Sequence, residues 1–499
     1  MYKIVAGGLF FLFWACDSNE SPALQDSYSV HCGSCHLPPN INDLPKQLWS
    51  DQVLPEMASR LGLSTPDYDP MSGHSFEEQM AILESGIFPP RPVMDEKLFR
   101  SIVDYIITMA PESLERLPET PLISLEHYRQ HPIDFPDSPL PSFTYLKIRN
   151  GKIEVGDLNG GFWSYDHQDG TWSNLYQFES PVVGSVQNDS LRWVLTVGLL
   201  NPSERSRGKL YEIAGNERRI LLDSLHRPVY LDVSETIGKL DFTIAEFGHY
   251  SGRLSGLVQS QAEVKKQTLV STPGAIRVLY ADIDGDQLSE KLVLFAQGDE
   301  RLVAFKHAEN NKIQSETLLR FSPLSGVSWF EVKDLDRDGD LDIITVHGDN
   351  ADKTYVQKPY HGVRVHSNDG DGRFTQVYNY PLNGATRVVA TDWDMDGDQD
   401  LAVVAAFPDY SMETPKSFLL LENTEPTESQ WQARSINSIN DARWFLMDAG
   451  DLDGDGDQDI VLGVFNYHIT PVPNKYLQEW SKAPIGLLIL ENTAADDTK

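Results

Sequence analysis

The chain has 499 residues, with 41 Lys and Arg against 74 Asp and Glu, which gives a formal net charge of −33. This length is too great for one ordinary compact domain, so we expect several domains or a repeat architecture. The surplus of negative charge repels phosphate backbones and excludes a DNA-binding or RNA-binding role. Only three cysteines are present, at positions 16, 32 and 35, which excludes a disulfide framework.

The N-terminus is predicted to direct export. Residues 1–15 contain an early lysine and an apolar run that is too short to span a bilayer, which indicates a signal peptide. The sequence Leu-Phe-Trp-Ala-Cys at residues 12–16 resembles a bacterial lipobox, which implies that Cys16 is lipidated; simple cleavage is the alternative. Residues 16–26 are predicted to be a tether. We therefore expect a lipid-anchored protein in the periplasm or at the cell surface of a bacterium.

Two regions with different hydrophobic periods follow the tether. Residues 27–111 have helical spacing, whereas residues 142–494 contain short β runs separated by Gly, Asn and Asp. Residues 112–141 between them contain six prolines and are predicted to form a semi-rigid linker.

Three helices are predicted in residues 27–111. Ser-Phe-Glu-Glu at residues 75–78 is a capping box that opens a helix ending near Gly86, and Asp95 caps the last helix. A further helix lies around residues 48–61, where Pro55 is expected to cause a kink.

Cys32-Gly33-Ser34-Cys35-His36 has the spacing of a c-type haem attachment motif. Two thiols at this spacing reach both vinyl groups while the next imidazole meets the iron. A zinc site would need more Cys or His at finger spacing, and a thioredoxin-like redox pair would need a βαβ context. The motif therefore predicts one covalent haem c on Cys32 and Cys35, with His36 as the proximal iron ligand.

The helical region resembles a small cytochrome c domain, with Tyr28 before the motif, two prolines after it and a last helix that closes the fold. This resemblance implies a methionine as the distal ligand. Residues 49–57 resemble a segment of minimal cytochromes in which the methionine ligates iron, which favours Met57; Met94 is the alternative. A thioether ligand raises the reduction potential relative to a second His, which suits electron transfer.

Four acidic loops in residues 142–494 share alternating carboxylates followed by an apolar strand; we call them loops 1 to 4 (282–290, 334–342, 392–400 and 451–459). Carboxylates at positions one, three, five and nine converge on one point and provide the oxygen shell that Ca²⁺ prefers. An EF-hand is one alternative, but helices would flank its loop. A second alternative is a solvated acidic turn that binds no ion. Mg²⁺ is a third alternative, but it would keep more water ligands than Ca²⁺. We expect three to four Ca²⁺ ions, and the predicted ligands are Asp282, Asp284, Asp286 and Glu290; Asp334, Asp336, Asp338 and Asp342; Asp392, Asp394, Asp396 and Asp400; and Asp451, Asp453, Asp455 and Asp459.

The acidic loops recur at intervals of about 50 to 60 residues, and weaker echoes precede them, so about seven units fit the region. Such spacing predicts four-stranded propeller blades, and the similar segments 419–423 and 488–492 are predicted blade strands. The pattern resembles the FG-GAP or VCBS repeats of integrin-alpha-like β-propellers, in which the ions brace loops. The expected fold class is therefore a small all-α cytochrome c domain followed by an all-β propeller of about seven four-stranded blades.

The combined architecture resembles bacterial fusions of cytochrome c and FG-GAP domains. This resemblance implies an exported, membrane-anchored c-type cytochrome that carries single electrons to or from a partner protein, with a calcium-braced propeller for docking. A haem-coupled dehydrogenase with its substrate site in the propeller funnel is the alternative, so enzyme activity stays open; His361, His366, Arg387 and Arg443 are possible funnel residues. An adhesion module is a third hypothesis, for which a haem would be superfluous.

Overall fold

The structure is a computed structural model that describes residues 20–66, 68–236, 239–259, 264–308, 312–351, 354–467 and 469–497. The predicted signal peptide and Cys16 lie outside the described residues. Within these ranges, no helix has the length and apolar character needed to cross a membrane.

The N-terminal region consists of short helices. The capping box is confirmed, because the Ser75 hydroxyl accepts from the Glu78 amide while the Glu78 carboxylate accepts from the Ser75 amide. Asp95 caps the last helix of this region, also as predicted. The helices in the described residues are α1 Glu20–Cys32, α2 Lys46–Leu48, α3 Leu54–Arg60, α4 Phe76–Ser85, α5 Glu96–Met109, α6 Asn474–Trp480 and α7 Ala494–Asp497, with 3₁₀ turns at Ile41–Asp43 and Pro426–Glu428.

The helix expected around residues 48–61 contains a π turn, Trp49–Val53, between α2 and α3. The Leu54 amide donates to the Trp49 carbonyl, five residues back. A proline in a regular α-helix removes one hydrogen bond and its ring clashes with the carbonyl four residues earlier. The wider π turn directly before Pro55 avoids this clash. The helix is therefore interrupted by a π turn at the place where the sequence predicts a kink.

One apolar cluster holds the helical region together. Leu44, Trp49, Ile102 and Ile106 are buried in it, and α1 packs against α5. The indole nitrogen of Trp49 donates to the Ile41 carbonyl at 2.9 Å, which pairs the buried polar atom of this side chain. The region is therefore a packed unit built on its two longest helices.

The remainder of the chain is a seven-bladed β-propeller, which confirms the predicted seven four-stranded blades. The first strands of successive blades contact one another around a ring, and β27 closes it against β3. Blades 1 to 3 contain β3 Phe143–Arg149, β4 Lys152–Asp157, β5 Gly161–Asp166 and β6 Thr171–Gln177; β7 Val182–Gln187, β8 Arg192–Thr196, β9 Gly208–Ala214 and β10 Glu217–Leu225; and β11 Pro228–Thr236, β12 Lys239–Glu246, β13 Arg253–Gln259 and β14 Val264–Val270.

Blades 4 to 7 carry the acidic loops, each between the first and second strand of its blade. Their strands are β15 Ala275–Ala281, β16 Glu290–Phe295, β17 Arg301–Ala308 and β18 Lys312–Arg320; β19 Val327–Lys333, β20 Asp342–His347, β21 Gly362–Asn368 and β22 Phe374–Pro381; β23 Ala385–Thr391, β24 Asp400–Ala405, β25 Phe418–Glu425 and β26 Gln430–Ser435; and β27 Trp444–Gly450, β28 Asp459–Val464 and β29 Ile485–Asn492.

The fourth strand of blade 7 comes from the segment that was predicted to be a linker. Strand β2, Tyr128–Asp134, pairs antiparallel with β29, and β1, Ile123–Ser124, pairs parallel with β26 of blade 6. The predicted boundaries 112–141 for the linker and 142 for the propeller start therefore need correction, since the propeller begins near Ile123. Proline is tolerated in edge strands, so Pro132 lies within β2 without breaking it.

The helical region contacts loops that join second to third strands. Ser203 and Arg205, between β8 and β9, bind the Glu78 carboxylate, and the Tyr360 hydroxyl, between β20 and β21, donates to the Asp43 carbonyl at 3.0 Å. Because antiparallel strands reverse direction at each connection, these loops and the loops after first strands lie at opposite ends. The helical region therefore covers one end of the propeller and the acidic loops lie at the other.

We predict that Phe135→Ala lowers the free energy of unfolding by about 3–5 kcal/mol, because it removes a buried ring where the propeller closes. Phe135 directly follows β2 and packs edge-on against Phe143, Trp163 and Trp172 of blade 1 at centroid distances of 5.0, 5.2 and 5.2 Å. Chemical denaturation of the full chain measures this change. Leu175→Ala on the exposed strand β6 is the control, and an equal effect of both changes would contradict the closure role.

Candidate haem and calcium sites

The predicted haem motif lies where α1 ends. Cys32 is the last residue of this helix, half-buried against the core of the helical region, and Cys35 is exposed in the following turn; both are free thiols. A side chain at Gly33 would meet the Ser29 carbonyl oxygen at 2.3 Å, so the turn requires glycine. Burial raises the pKa of the Cys32 thiol to about 11, so without a bound group this thiol is neutral.

His36 has the hydrogen bond that prepares an imidazole for metal binding. Its Nδ1 atom lies 2.8 Å from the Leu37 carbonyl oxygen. A carbonyl oxygen only accepts, so Nδ1 carries the proton and Nε2 keeps its lone pair free for a ligand bond. The donor set of two thiols and one Nε2 atom fits a covalently attached haem.

The two methionines considered as distal ligands lie in different elements. Met57 is half-buried on α3, and Met94 lies in the loop before α5, where it packs against the same apolar cluster as Cys32. The Val93 amide donates to the Leu61 carbonyl at 3.0 Å, which ties this loop to the end of α3. The structure thus adds an observation in favour of Met94 that the sequence did not provide.

Each acidic loop brings three of its four predicted ligands together. Within each set, the potential ligand oxygens all lie within 4.8 Å of one another, whereas Asp286, Asp338, Asp400 and Asp455 are outside these sets. The sets are Asp282, Asp284 and Glu290; Asp334, Asp336 and Asp342; Asp392, Asp394 and Asp396; and Asp451, Asp453 and Asp459.

Backbone conformation and hydrogen bonds shape these loops. Positions four and six have positive φ angles in all four loops; in loop 2 they are Arg337 (63°) and Gly339 (97°). The Gly339 amide donates to Asp334 Oδ2 at 3.1 Å, and the Leu335 amide donates to Asp342 Oδ2 at 3.0 Å. Two left-handed turns thus fold the loop back on itself and aim its carboxylates inward.

Several carboxylate oxygens in the loops lack any hydrogen bond from the described residues, although they are buried. They include the Oδ1 atoms of Asp282, Asp334 and Asp392, the acids at position one of loops 1 to 3. Burying a charged oxygen without a partner is costly, and a coordinated cation removes that cost. These oxygens therefore fit a metal ion at the centre of each of these three loops.

Burial and mutual repulsion raise the pKa values of the position-nine acids in loops 2 to 4. Burial raises the pKa of Asp342 to about 6, and it raises the pKa values of Asp400 and Asp459 to about 7. Loop 1 differs at position three, because a hydrogen bond from the Lys306 ammonium lowers the pKa of Asp284. The first loop is thus electrostatically unlike the others.

Sequence reasoning missed the acids at position seven. Asp340, Asp398 and Asp457 occupy this position in loops 2 to 4, and the last two are only 4% and 2% exposed. The Oδ1 atoms of Asp398 and Asp457 also lack a hydrogen bond from the described part of the chain. The signal was present in the sequence, since the alternation of aspartates continues one step beyond position five.

Sequence reasoning also missed three asparagines that connect neighbouring loops. Asn368, Asn423 and Asn492 lie at or near the ends of the third strands of blades 5, 6 and 7, and each backbone amide donates to the position-nine acid of its own blade. Each side-chain amide donates to the position-two carbonyl of the preceding blade's loop, at 2.9, 3.4 and 2.8 Å. Loops 1 to 4 are therefore joined in series around the ring.

The possible funnel residues have structural partners. Arg443, 3% exposed, donates to the Tyr467 carbonyl and the Thr470 hydroxyl. The Nε2 atom of His366 lies 3.2 Å from the Thr345 hydroxyl, and the Arg387 guanidinium lies 4.1 Å from the ring centre of Trp329. His361 is also buried. These contacts give Arg443, His366 and Arg387 packing or hydrogen-bonding partners, whereas the buried Nε2 atom of His361 lacks a hydrogen bond from the described residues.

The chain matches no family model and no curated protein. Among solved structures it is similar to the computationally designed Ika8 protein, at 10% sequence identity and a TM-score of 0.39, over 74% of this chain and 99% of the designed chain. The sheets of this chain and their strand order define its class, a seven-bladed β-propeller with a helical N-terminal region.

We predict that Asn492→Ala lowers the free energy of unfolding by about 1–3 kcal/mol, because the buried Trp393 carbonyl loses its donor. Asn174→Ala, on the exposed strand β6, is a matched control and should change stability by less than about 0.5 kcal/mol. Urea denaturation at constant calcium concentration measures both. Equal stability of the two variants would show that the asparagine does not connect blades 6 and 7.

Proposed function

We propose that this protein is an exported, membrane-anchored c-type cytochrome that carries single electrons, with a propeller braced by three to four Ca²⁺ ions. The observation that carries the proposal is the motif at residues 32–36, where two free thiols and an imidazole with a protonated Nδ1 lie at the end of α1 and in the turn after it. This donor set suits covalent haem c, whose iron supplies a one-electron couple when bound.

The chain's own residues would divide the work of holding that group. Cys32 and Cys35 would form the two thioethers, and His36 would present Nε2 as the proximal ligand. Met57 is the proposed distal ligand from the resemblance, and Met94 is the alternative, which is supported because it packs against the same apolar cluster as Cys32. The apolar cluster around Trp49 would keep water away from one face of the group, which favours electron transfer without a large change in solvation.

Cys32→Ser combined with Cys35→Ser should abolish covalent haem attachment, because both thioether sulfurs are lost. The wild-type chain, made in cells with a c-type cytochrome maturation system, should keep its haem through denaturation. Mass spectrometry and the visible spectrum of the denatured protein measure this. Cys16→Ser is the control and should keep the haem; a wild-type mass equal to the polypeptide alone would reject the proposal.

The distal ligand can be assigned by two single variants of the haem-loaded protein. Met57→Ala should lower the reduction potential and change the visible spectrum of the oxidised form, because a thioether ligand is lost. Met94→Ala is the matched variant and should leave both nearly unchanged. The reverse pattern would assign the ligand to Met94, and no change in either variant would exclude both.

Calcium is proposed as the cation of the acidic loops. The clustered side chains offer oxygen ligands only, and each loop has at least one buried carboxylate oxygen without a hydrogen bond from the described residues. Calcium accepts six to eight such ligands in flexible geometry, which suits loops of clustered carboxylates. Its role here would be to neutralise the repulsion among the acids and to fix the end of blades 4 to 7 that lies away from the helical region.

Changing both Asp336→Asn and Asp338→Asn should lower the number of tightly bound calcium ions by one and reduce the rise in Tm on adding calcium. Each ion at a hundredfold excess over its Kd stabilises the fold by about 2.7 kcal/mol. Equilibrium dialysis and calorimetry measure the two effects. Asp169→Asn with Asp189→Asn, in exposed turns elsewhere, is the control. An unchanged number of ions would exclude loop 2 as a site.

The proposed partner is a redox protein, and the proposed anchor is a lipid on Cys16. The net charge of −33 favours a cationic docking face on the partner and disfavours nucleic acid. Ion pairs between Arg205 or Arg207 and Glu77, both at 3.6 Å, together with the ring of Phe88 packed edge-on against Tyr250 at 5.2 Å, attach the helical region to the propeller. The propeller would thereby hold the haem in a fixed orientation toward the partner.

A further inference from the structure

Blades 4 to 7 differ at one third-strand position that lies beside the acidic loop of the blade but outside the loop in sequence. In blades 4 to 7, the second strand begins with the position-nine acid and pairs antiparallel with the third strand. The residue after the acid pairs with a known partner, so the third-strand residue that follows this partner lies opposite the acid. The pairs that fix this register are Lys291 with Phe305, Ile343 with His366, Leu401 with Leu421 and Ile460 with Leu490. That residue is Lys306 in blade 4, Ser367 in blade 5, Glu422 in blade 6 and Glu491 in blade 7. Blade 4 therefore places a cation where the other blades have a neutral or an acidic side chain.

Lys306 binds one acid of its own loop and one acid of the fourth strand. Its ammonium nitrogen lies 2.7 Å from Asp284 Oδ2, and Asp284 is the position-three ligand of loop 1. The same nitrogen lies 3.6 Å from Glu316, on the fourth strand of the blade. An ammonium in direct contact with a metal ligand competes with Ca²⁺ for that carboxylate and repels the ion.

Loop 1 also has fewer acids than the other loops. Position seven is Leu288, which is 62% exposed, whereas loops 2 to 4 have aspartate there. Loop 1 with Lys306 therefore carries a net charge of three negative units, against four in loop 2, which contains Arg337, and five in each of loops 3 and 4. Loop 3 has two cations nearby, Arg337 and Arg434. Arg337, from loop 2, is half-exposed and lies 3.6 and 3.8 Å from the acids at positions five and seven of loop 3. Arg434 pairs with Glu422 and Glu126.

We propose that Lys306 serves as a built-in cation of loop 1, so that loops 2 to 4 bind Ca²⁺ tightly and loop 1 binds it weakly. This inference rests on the proposed calcium sites and refines them. The Oδ1 atoms of Asp282 and Asp284 still lack a hydrogen bond from the described residues. Loop 1 thus retains the geometry of a site, and removal of the ammonium should create a fourth tight site.

The test is a calcium titration of the full chain after chelator treatment, with the number of tight sites as the readout. The wild type should bind three ions tightly, and Lys306→Ser, which copies blade 5, should bind four, with the affinity of loop 1 raised about tenfold or more. Lys209→Ser, which removes a similar pair with Glu179 on blade 2, a blade without an acidic loop, is the matched control and should bind three.

A second pair of variants keeps the test independent of how Lys306→Ser folds. Asp284→Asn should leave the three tight sites intact, whereas Asp336→Asn at the same position of loop 2 should remove one. Four equal tight sites in the wild type would overturn the inference and leave the proposed calcium function standing. Three tight sites in both the wild type and Lys306→Ser would overturn the role of Lys306, and no binding at all would overturn the calcium proposal itself.

Discussion

The pairing of β2 with β29 is the contact on which the arrangement of this protein depends. It completes the seventh blade with a strand from the start of the propeller, so the ring is closed by hydrogen bonds between segments more than 350 residues apart along the chain. Phe135 then packs into blade 1 immediately after β2, which joins the two blades at the closure. Because the helical region directly precedes β1 and β2, the same closure places it beside the propeller, and contacts such as Tyr360 with Asp43 then seat it on one end.

A concentration of negative charge at the opposite end is the second constraint. Loops 1 to 4 carry most of their acids within a few ångströms of one another, and several oxygens are buried without donors. Asparagines at or near the ends of three third strands join each of loops 2 to 4 to the loop before it. A cation that orders one loop would also hold its position-two carbonyl in place, and this carbonyl accepts a hydrogen bond from the asparagine of the next blade. The ions would therefore stabilise the four loops as a connected set.

Features set by local spacing were predictable from the sequence, and features set by distant contacts were not. The capping box at Ser75, the cap at Asp95 and the convergence of the acids each depend on residues less than ten positions apart. The edge strand β2 was missed because Pro132 and its neighbours have linker composition, and only the pairing with β29 makes them a strand. Lys306 was missed for a similar reason, since its relation to Asp284 follows from strand register across the blade.

The most direct test of single-electron transfer is the visible spectrum of the purified, oxidised, calcium-loaded protein during separate additions of sugars, alcohols, amines and small reduced cytochromes. Reduction of the haem by protein donors alone is the predicted result. Reduction by a small organic compound alone would contradict the electron-carrier function and would assign a dehydrogenase site to the propeller.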